Sequence, residues 1–248
     1  VAHSIPDSTG ICIDTPVGRI VHTGDFKFDE TPARNMQKVD ISKISEMGNK
    51  GVLALLCEST NSLKPGHSMS EKDVGHALEN VVSSANGRVI VASFSSQIGR
   101  IQQVIDAAVK TNRKVYVSGR SMRTNIEISA KLGYLKFPAG LVQDIKKYKK
   151  ELARETLILT TGSQGESVAA LSRMAKGEHN HIKVQKGDTI ILSSSPIPGN
   201  EKAINTVINK LTKLGADIIS NQMEDIHTSG HGKQDELLRM IELLRPKY

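Results

Sequence analysis

An imidazole and a carboxylate near the start of the chain offer its first chemistry. His3 belongs to His3-Ser4-Ile5-Pro6-Asp7-Ser8, and Asp25 follows 22 residues later in His22-Thr23-Gly24-Asp25-Phe26. Two short apolar runs lie between them, at 10–14 and 19–22, joined by Thr15-Pro16-Val17-Gly18. They read as a β-hairpin. A hairpin folds its ends together, so His3 and Asp25 are expected side by side at one rim. An imidazole beside a carboxylate there suits zinc or manganese. Two ligands fall short of the roughly four that zinc takes.

Two further groups stand where elements end. Residues 51–57 form a continuous apolar run of buried-strand length, closed by Glu58-Ser59-Thr60-Asn61. Taken alone, Glu58 is a strand-end acid in water. Near the other end, His227-Thr228-Ser229-Gly230-His231 sets two histidines around Ser-Gly at a strand-to-helix turn. Taken alone, the two histidines could be a caps-only arrangement, and His227 reads as just that. A carboxylate bonded to an imidazole would raise its pKa, as a general acid near neutral pH requires.

The elements that must position these groups follow from periodicity. The stretch after Phe28 is polar, and Ser70-Glu71-Lys72-Asp73 resembles a capping box before a helix marked by Val74, Ala77, Leu78, Val81 and Val82. Strands at 88–92, 114–117, 156–160, 188–193 and 216–219 then alternate with helices near 98–109, 121–132, 166–175 and 201–214, and Leu237, Leu238, Ile241 and Leu244 mark a last helix. Such alternation means parallel strands with helical crossovers. The basic segment 141–155, with Lys146, Lys147, Lys149 and Lys150, reads first as a solvated helix face.

In a parallel sheet, ligands bind beyond the carboxyl ends of the strands. Three turns there are rich in hydroxyls and glycine: Ser93-Phe94-Ser95-Ser96-Gln97, Thr161-Gly162-Ser163-Gln164-Gly165-Glu166, and the run from Ser193 through Ser195 to Gly199. Each alone is a plain helix cap. Together with Ser229 and Gly230 they read as a cleft lined for an anionic chain, with Ser95, Ser96, Ser163 and Ser195 as phosphate contacts. Phe94 suits stacking on a base, and a ring tucked into the core is the equal alternative. No turn has the GxxxxGK[ST] pattern of a P-loop.

Composition bounds the partners. A net charge of +7 suits an anionic one without identifying it. Aromatics at 3% with no Trp argue against a binder that stacks many bases. Cys12 and Cys57 lie in apolar runs and read as two buried reduced thiols, which points to the cytoplasm. No run approaches the roughly 20 apolar residues of a membrane span. The start at Val1-Ala2-His3, without Met, and the stop after a helix read as cut ends.

Taken together, HSIPDS and TPVGRIVHTGDFKFD resemble ribonuclease J, of the metallo-β-lactamase superfamily and its β-CASP branch, and TGSQGE and SSSPIPGNE look like signature stretches of the same family. The resemblance implies an α/β chain in which a β-CASP domain, a parallel sheet with flanking helices, is inserted into a partial metallo-β-lactamase αββα domain. Residues 1–68 and 227–248 would form the partial domain and 69–226 the insert, with the active site in the cleft between them. It makes His3 and Asp25 metal ligands, Asp25 bridging two divalent ions, zinc first and manganese or magnesium next. Glu58 takes the place of an acid that is commonly Asp, and His231 works with it to protonate the leaving oxygen.

By the same resemblance the HxHxDH and HGE motifs supply the remaining ligands, and neither is in this sequence. His67, His76, His179 and His181 stand in other contexts. The implied activity is that of a 5′-to-3′ exoribonuclease, with endoribonuclease activity also open, in RNA processing and decay. Its partners would be single-stranded 5′-monophosphorylated RNA and, at full length, further copies in a dimer or tetramer. The segment alone would be inactive. The rival is a catalytically incomplete RNA-binding or interaction protein of the same fold. Retention of His3, Asp25, Glu58 and His231 favours the enzyme.

Overall fold

The computed structural model describes residues 1–149, 152–221 and 223–248. Its chain divides into two compact units, Val1–Pro32 with Met36–Glu71 and Ser229–Tyr248, and Ala33–Asn35 with Lys72–Thr228. The boundaries therefore fall after Glu71 and Thr228, a few residues from those expected, and His227 belongs to the second unit.

The first unit is built on a three-stranded sheet, β1 (Ile11–Thr15), β2 (Gly18–His22) and β3 (Ala54–Leu56), in that order. β1 and β2 pair antiparallel as the expected hairpin, Cys12 opposite Val21, and β3 runs parallel to β2. A helix, α1 (Ile41–Asn49), occupies the stretch read as merely polar. Its apolar residues, Ile41, Ile44 and Met47, recur every three positions, and Asp40 caps it by accepting from the Lys43 N–H at 2.9 Å. α1 packs against the last helix of the chain, residues 234–244, around Ala2, Val21, Phe26, Ile44, Leu237, Met240 and Leu244. Their approach is close: a Cβ on Gly48 would stand 2.0 Å from the Leu243 carbonyl oxygen. Only glycine fits there.

Two expectations fail in this sheet. Residues 51–57 are not a buried strand, because only Ala54–Leu56 is extended and Leu56 is 51% exposed. Nor are both thiols buried: Cys12 is exposed and Cys57 intermediate. The cause is common to both. Apolar runs signal burial only when both faces are covered, and β1 leaves Ile11 and Ile13 exposed as well.

The second unit has both faces covered. It opens with α2 (Glu71–Ser84), whose first residue still belongs to the first unit. There follow β4 (Val89–Ala92), α3 (Ile98–Lys110), β5 (Lys114–Ser118), α4 (Arg120–Lys131), β6 (Val142–Asp144), β7 (Thr156–Thr160), α5 (Ala170–Ala175), β8 (Thr189–Leu192), α6 (Glu201–Lys213) and β9 (Asp217–Ser220). The last helix is then α7 (Gln234–Leu244) of the first unit. All six strands β4 to β9 are parallel, in the order β6-β5-β7-β4-β8-β9, so the α/β class with a helix-flanked parallel sheet holds. Ile90, Tyr116, Ile158 and Ile190 of one sheet face pack with Leu171 and Met174 of α5 and Val207 and Leu211 of α6. Val91, Val115 and Leu157, pointing the other way by the two-residue strand period, are equally buried. Hence the strands read as unbroken apolar runs.

The basic segment is not a helix face. It holds the edge strand β6 and two short 3₁₀ turns, Ile145–Lys147 and Ala153–Glu155, with Lys146, Lys147 and Lys149 exposed. Lys150 lies outside the described residues. The helix expected from 166 begins only at Ala170.

One buried ion pair braces this sheet. The Arg88 guanidinium donates to both Asp188 oxygens, at 3.1 and 2.6 Å, and also to the Lys183 carbonyl. Both side chains are almost inaccessible. Removing one member strands a charge in the interior, so Asp188→Ala should cost about 3–5 kcal/mol in urea unfolding. Removing the exposed Glu46 partner of Lys50 should leave the urea midpoint almost unchanged.

Candidate active site

His3, Asp25, Glu58 and His231, scattered along the sequence, converge within the first unit. The hairpin carries Asp25 back to His3, whose Nε2 lies 4.0 Å from Asp25 Oδ2. Glu58, just past β3, accepts the Phe26 N–H at 2.6 Å and bonds His231 Nδ1 at 2.9 Å. The rings of His3 and His231 meet edge to face, 4.9 Å apart.

The residues around Gly230 set the protonation pattern. His3 Nδ1 lies 2.7 Å from the Gly230 carbonyl oxygen. A carbonyl only accepts, so Nδ1 carries a proton, and in the neutral ring Nε2 then keeps its lone pair toward Asp25. That approach needs glycine at 230: an added Cβ would stand 2.6 Å from His3 Cε1. By the same logic His231 donates through Nδ1 to the carboxylate of Glu58 and has Nε2 left for other work.

Electrostatics follow this geometry. Burial pushes the Glu58 carboxyl up, but the bonds from His231 and the Phe26 N–H outweigh it and hold it below the usual value. The bond to Glu58 raises the His231 imidazole above its ordinary range against the opposing effect of burial. Glu58 is 6% exposed and His231 26%, so the pair is largely enclosed, with one open edge.

Ligand atoms of His3, Asp25 and His231 all lie within 4.8 Å of one another. His3, with its Nδ1 proton placed by Gly230, and Asp25, 58% exposed, offer an imidazole and a carboxylate to a divalent cation as part of a coordination shell, and His231 stands beside them paired with Glu58.

Ser229 is held by two donors. Its Oγ accepts from Asn61 Nδ2 and from the His231 N–H, each at 3.1 Å. Both lone pairs are then used, which leaves the hydroxyl proton to give. Asn61 Nδ2 also donates to the His231 carbonyl. Beneath them lies a residue that the sequence did not single out. Glu236 of α7, wholly buried, accepts from the N–H groups of Phe28, Ser68 and Lys233 and from the Ser68 hydroxyl. A glutamate beside Leu237 in an amphipathic helix reads as a solvated position, so periodicity hid it.

The turns of the second unit divide. Ser96 is exposed, and Phe94, Ser95 and Ser195 are half-buried. Ser163 is buried, and its carbonyl accepts from Ser194 Oγ. Gln164 ties two turns together, donating to Ser194 Oγ and the Ser195 carbonyl and accepting from the Ile197 N–H. Among the other histidines, His67 faces Asp235 at 3.2 Å. His179 Nδ1 accepts the N–H groups of His181 and Ile182, so its Nε2 carries the proton toward Ser118 Oγ at 2.9 Å.

Comparison with known proteins agrees with this picture. Residues 86–211, half of the chain, match the family model described as ribonuclease J, beta-CASP domain. The chain is 48% identical over 247 residues to the ribonuclease J of Corynebacterium glutamicum, covering all of this chain and 34% of that protein. It is also 48% identical to ribonuclease J 1 of Streptococcus pyogenes, covering 99% and 44% respectively. The chain thus spans less than half the length of these relatives. A crystal structure of an Enterococcus faecalis protein of unknown function shares the fold, with a TM-score of 0.66 over the whole chain, 55% of that protein, at 16% identity.

Burial, followed by Arg173 and His181, depresses the His179 imidazole to about 4. The unfolded chain takes up that proton first, near the ordinary 6.5. This contribution to stability is therefore complete above pH 6.5 and is lost as pH falls toward 4. A proton NMR titration should show His179 titrating near 4, and His179→Gln should lessen the loss of thermal stability across that window. With fold, site and kinship in agreement, the chain belongs to the ribonuclease J β-CASP family.

Proposed function

We propose that this chain is the central part of a metal-dependent ribonuclease, a 5′-to-3′ exoribonuclease with endoribonuclease activity as a second mode, and that it is inactive without ligands from outside the segment. The observation that carries the reading is the Glu58–His231 couple, packed 4.9 Å ring to ring against His3 and within reach of Asp25. A binding module has no need to hold an ionised acid against an imidazole beside two metal-type ligands.

His3 and Asp25 would hold divalent cations, zinc or manganese, with further ligands from elsewhere. When bound, such ions activate water and neutralise charge on the phosphate. The work of this chain's own residues is separate. His231, whose imidazole is raised above its ordinary value by the bond to Glu58, gives a proton from Nε2 to the leaving oxygen. Glu58 fixes the ring and stabilises the imidazolium before transfer. The Ser229 hydroxyl, with its lone pairs already used, donates to a phosphate oxygen of the bound strand. The half-buried Phe94 and the exposed Ser96 serve the strand further along, and the net positive charge adds sequence-independent attraction. Like the relatives named ribonuclease J, such a protein would act on RNA. That role suits a cytoplasmic dimer or tetramer, and no helix among the described residues is long and apolar enough to cross a membrane.

In a full-length ribonuclease carrying this segment, loss of the proton donor should appear in turnover. His231→Ala is expected to lower kcat by about 10²–10⁴, and Glu58→Ala to lower it by a comparable factor, with little change in KM. An unchanged kcat in both variants would favour the incomplete binding protein. A second measurement addresses the phosphate grip: Ser229→Leu should weaken binding of 5′-monophosphorylated RNA more than Lys147→Ala, because Lys147 is exposed and the serine contact is partly desolvated. Titration of a labelled oligonucleotide at two salt concentrations would show it, and equal losses would place the grip elsewhere.

A further inference from the structure

The second unit contains a cavity that none of the groups considered so far explains. It has a volume of about 810 Å³ and lies beyond the carboxyl ends of β5, β6 and β7. Ser118, Gly119 and Arg120 enter it from the end of β5, and Thr161 from the end of β7. β5 and β7 are neighbours in the sheet, but the chain leaves them in opposite directions, from β5 outward to β6 and from β7 across β4 to β8. Their crossovers therefore lie on opposite faces, and the strand ends part. This is a topological switch point, as β4 and β8 form another, and at such points ligands of parallel sheets bind.

The lining is electropositive. Arg120, Arg123, Lys146 and Arg173 contribute cations, and Asp144 is the single carboxylate. Asp144 is already taken by Arg123. Arg120 and Lys146 make no ion pair among the described residues, and the Arg173 guanidinium meets only the neutral Glu178 carbonyl and Asn180 amide oxygen.

A second observation points to a ligand. Ser118 is 1% exposed, and its Oγ accepts the proton of His179 Nε2. The Ser118 proton has no acceptor among the described residues, although the side chain lines the cavity. A buried hydroxyl with its own proton unused is costly unless something accepts it. Gly119, with φ at +114°, brings the β5 and β7 turns together, since a Cβ there would stand 2.8 Å from Thr161 Oγ1.

We propose that this cavity is a phosphate-binding site, in which a phosphate oxygen accepts the Ser118 hydroxyl proton while Arg120, Lys146 and Arg173 neutralise its charge. A phosphate supplies what the lining lacks, several acceptor oxygens and more than one negative charge. A carboxylate would leave most of these cations unmatched. The volume also admits the nucleoside attached to that phosphate. A free nucleotide and the backbone of an RNA strand share this chemistry.

Calorimetry on the 248-residue chain at low salt tests it, with inorganic phosphate, adenosine 5′-monophosphate and a 5′-hydroxyl RNA ten-mer as probes. The double variant Arg120→Glu, Lys146→Glu alters residues without ion pairs and should melt like the parent chain. It should bind at least one probe tenfold or more weakly. Ser118→Ala, which leaves every charge in place, should weaken the same probe several-fold. A loss shared by phosphate and the mononucleotide identifies a small-molecule site, and a loss confined to RNA identifies a backbone subsite. Either supports the assignment. Unchanged affinity for all three probes in both variants, or no binding of any probe by the parent chain at millimolar concentration, would overturn it.

Discussion

A carboxylate sealed from solvent governs the first unit. The Glu236 carboxyl is wholly buried, and polar oxygens taken out of water are costly unless hydrogen bonds replace it. It accepts four hydrogen bonds, from Phe28, twice from Ser68 and from Lys233. Those donors sit on three stretches far apart in sequence, and each stretch carries a reactive group. Asp25 lies three residues before Phe28, Glu58 ten before Ser68, and His231 two before Lys233. Satisfying one buried carboxyl therefore fixes the relative positions of the groups above it. The Gly232 N–H to the Phe26 carbonyl, at 2.7 Å, closes the same seam.

On this base, neighbours select which nitrogen does what. The Gly230 carbonyl claims the proton of His3 Nδ1 and leaves Nε2 basic. Glu58 claims the Nδ1 proton of His231 and favours the charged form of that ring. Two histidines in ring contact thus have opposite characters, one a lone-pair donor and the other a proton donor. The place of His3 depends on glycine at 230, because a side chain there would displace it. Ser229 gains its donor role in the same way, from two hydrogen bonds that use up its lone pairs.

Much of this was legible because it rests on local periodicity and on residues at element ends. The alternation of β4 to β9 with α3 to α6 is visible in the sequence, since a parallel sheet covered on both faces leaves unbroken apolar runs. The hairpin that returns Asp25 to His3 is legible from its turn. What escaped depends on contacts between distant segments. α1 looked polar because only one side of a short helix meets the core. Cys12 looked buried because an apolar strand does not reveal that its sheet is open. Glu236 looked solvated because its donors are backbone groups, which no residue pattern displays. Ser118 and His179 escaped for a related reason, since their pairing is set by strand order.

The claim on which the functional account rests is that His231 is a proton donor kept charged by Glu58. The most direct measurement is the pH dependence of kcat for RNA hydrolysis in a full-length ribonuclease carrying this segment, compared between the parent sequence and Glu58→Gln. A proton donor must be protonated, so activity should fall on the alkaline side as His231 loses its proton. The account predicts that this fall lies above the ordinary histidine value of 6.5 in the parent and moves to lower pH when Glu58 is neutralised. An alkaline limb that stays in place in Glu58→Gln would contradict it.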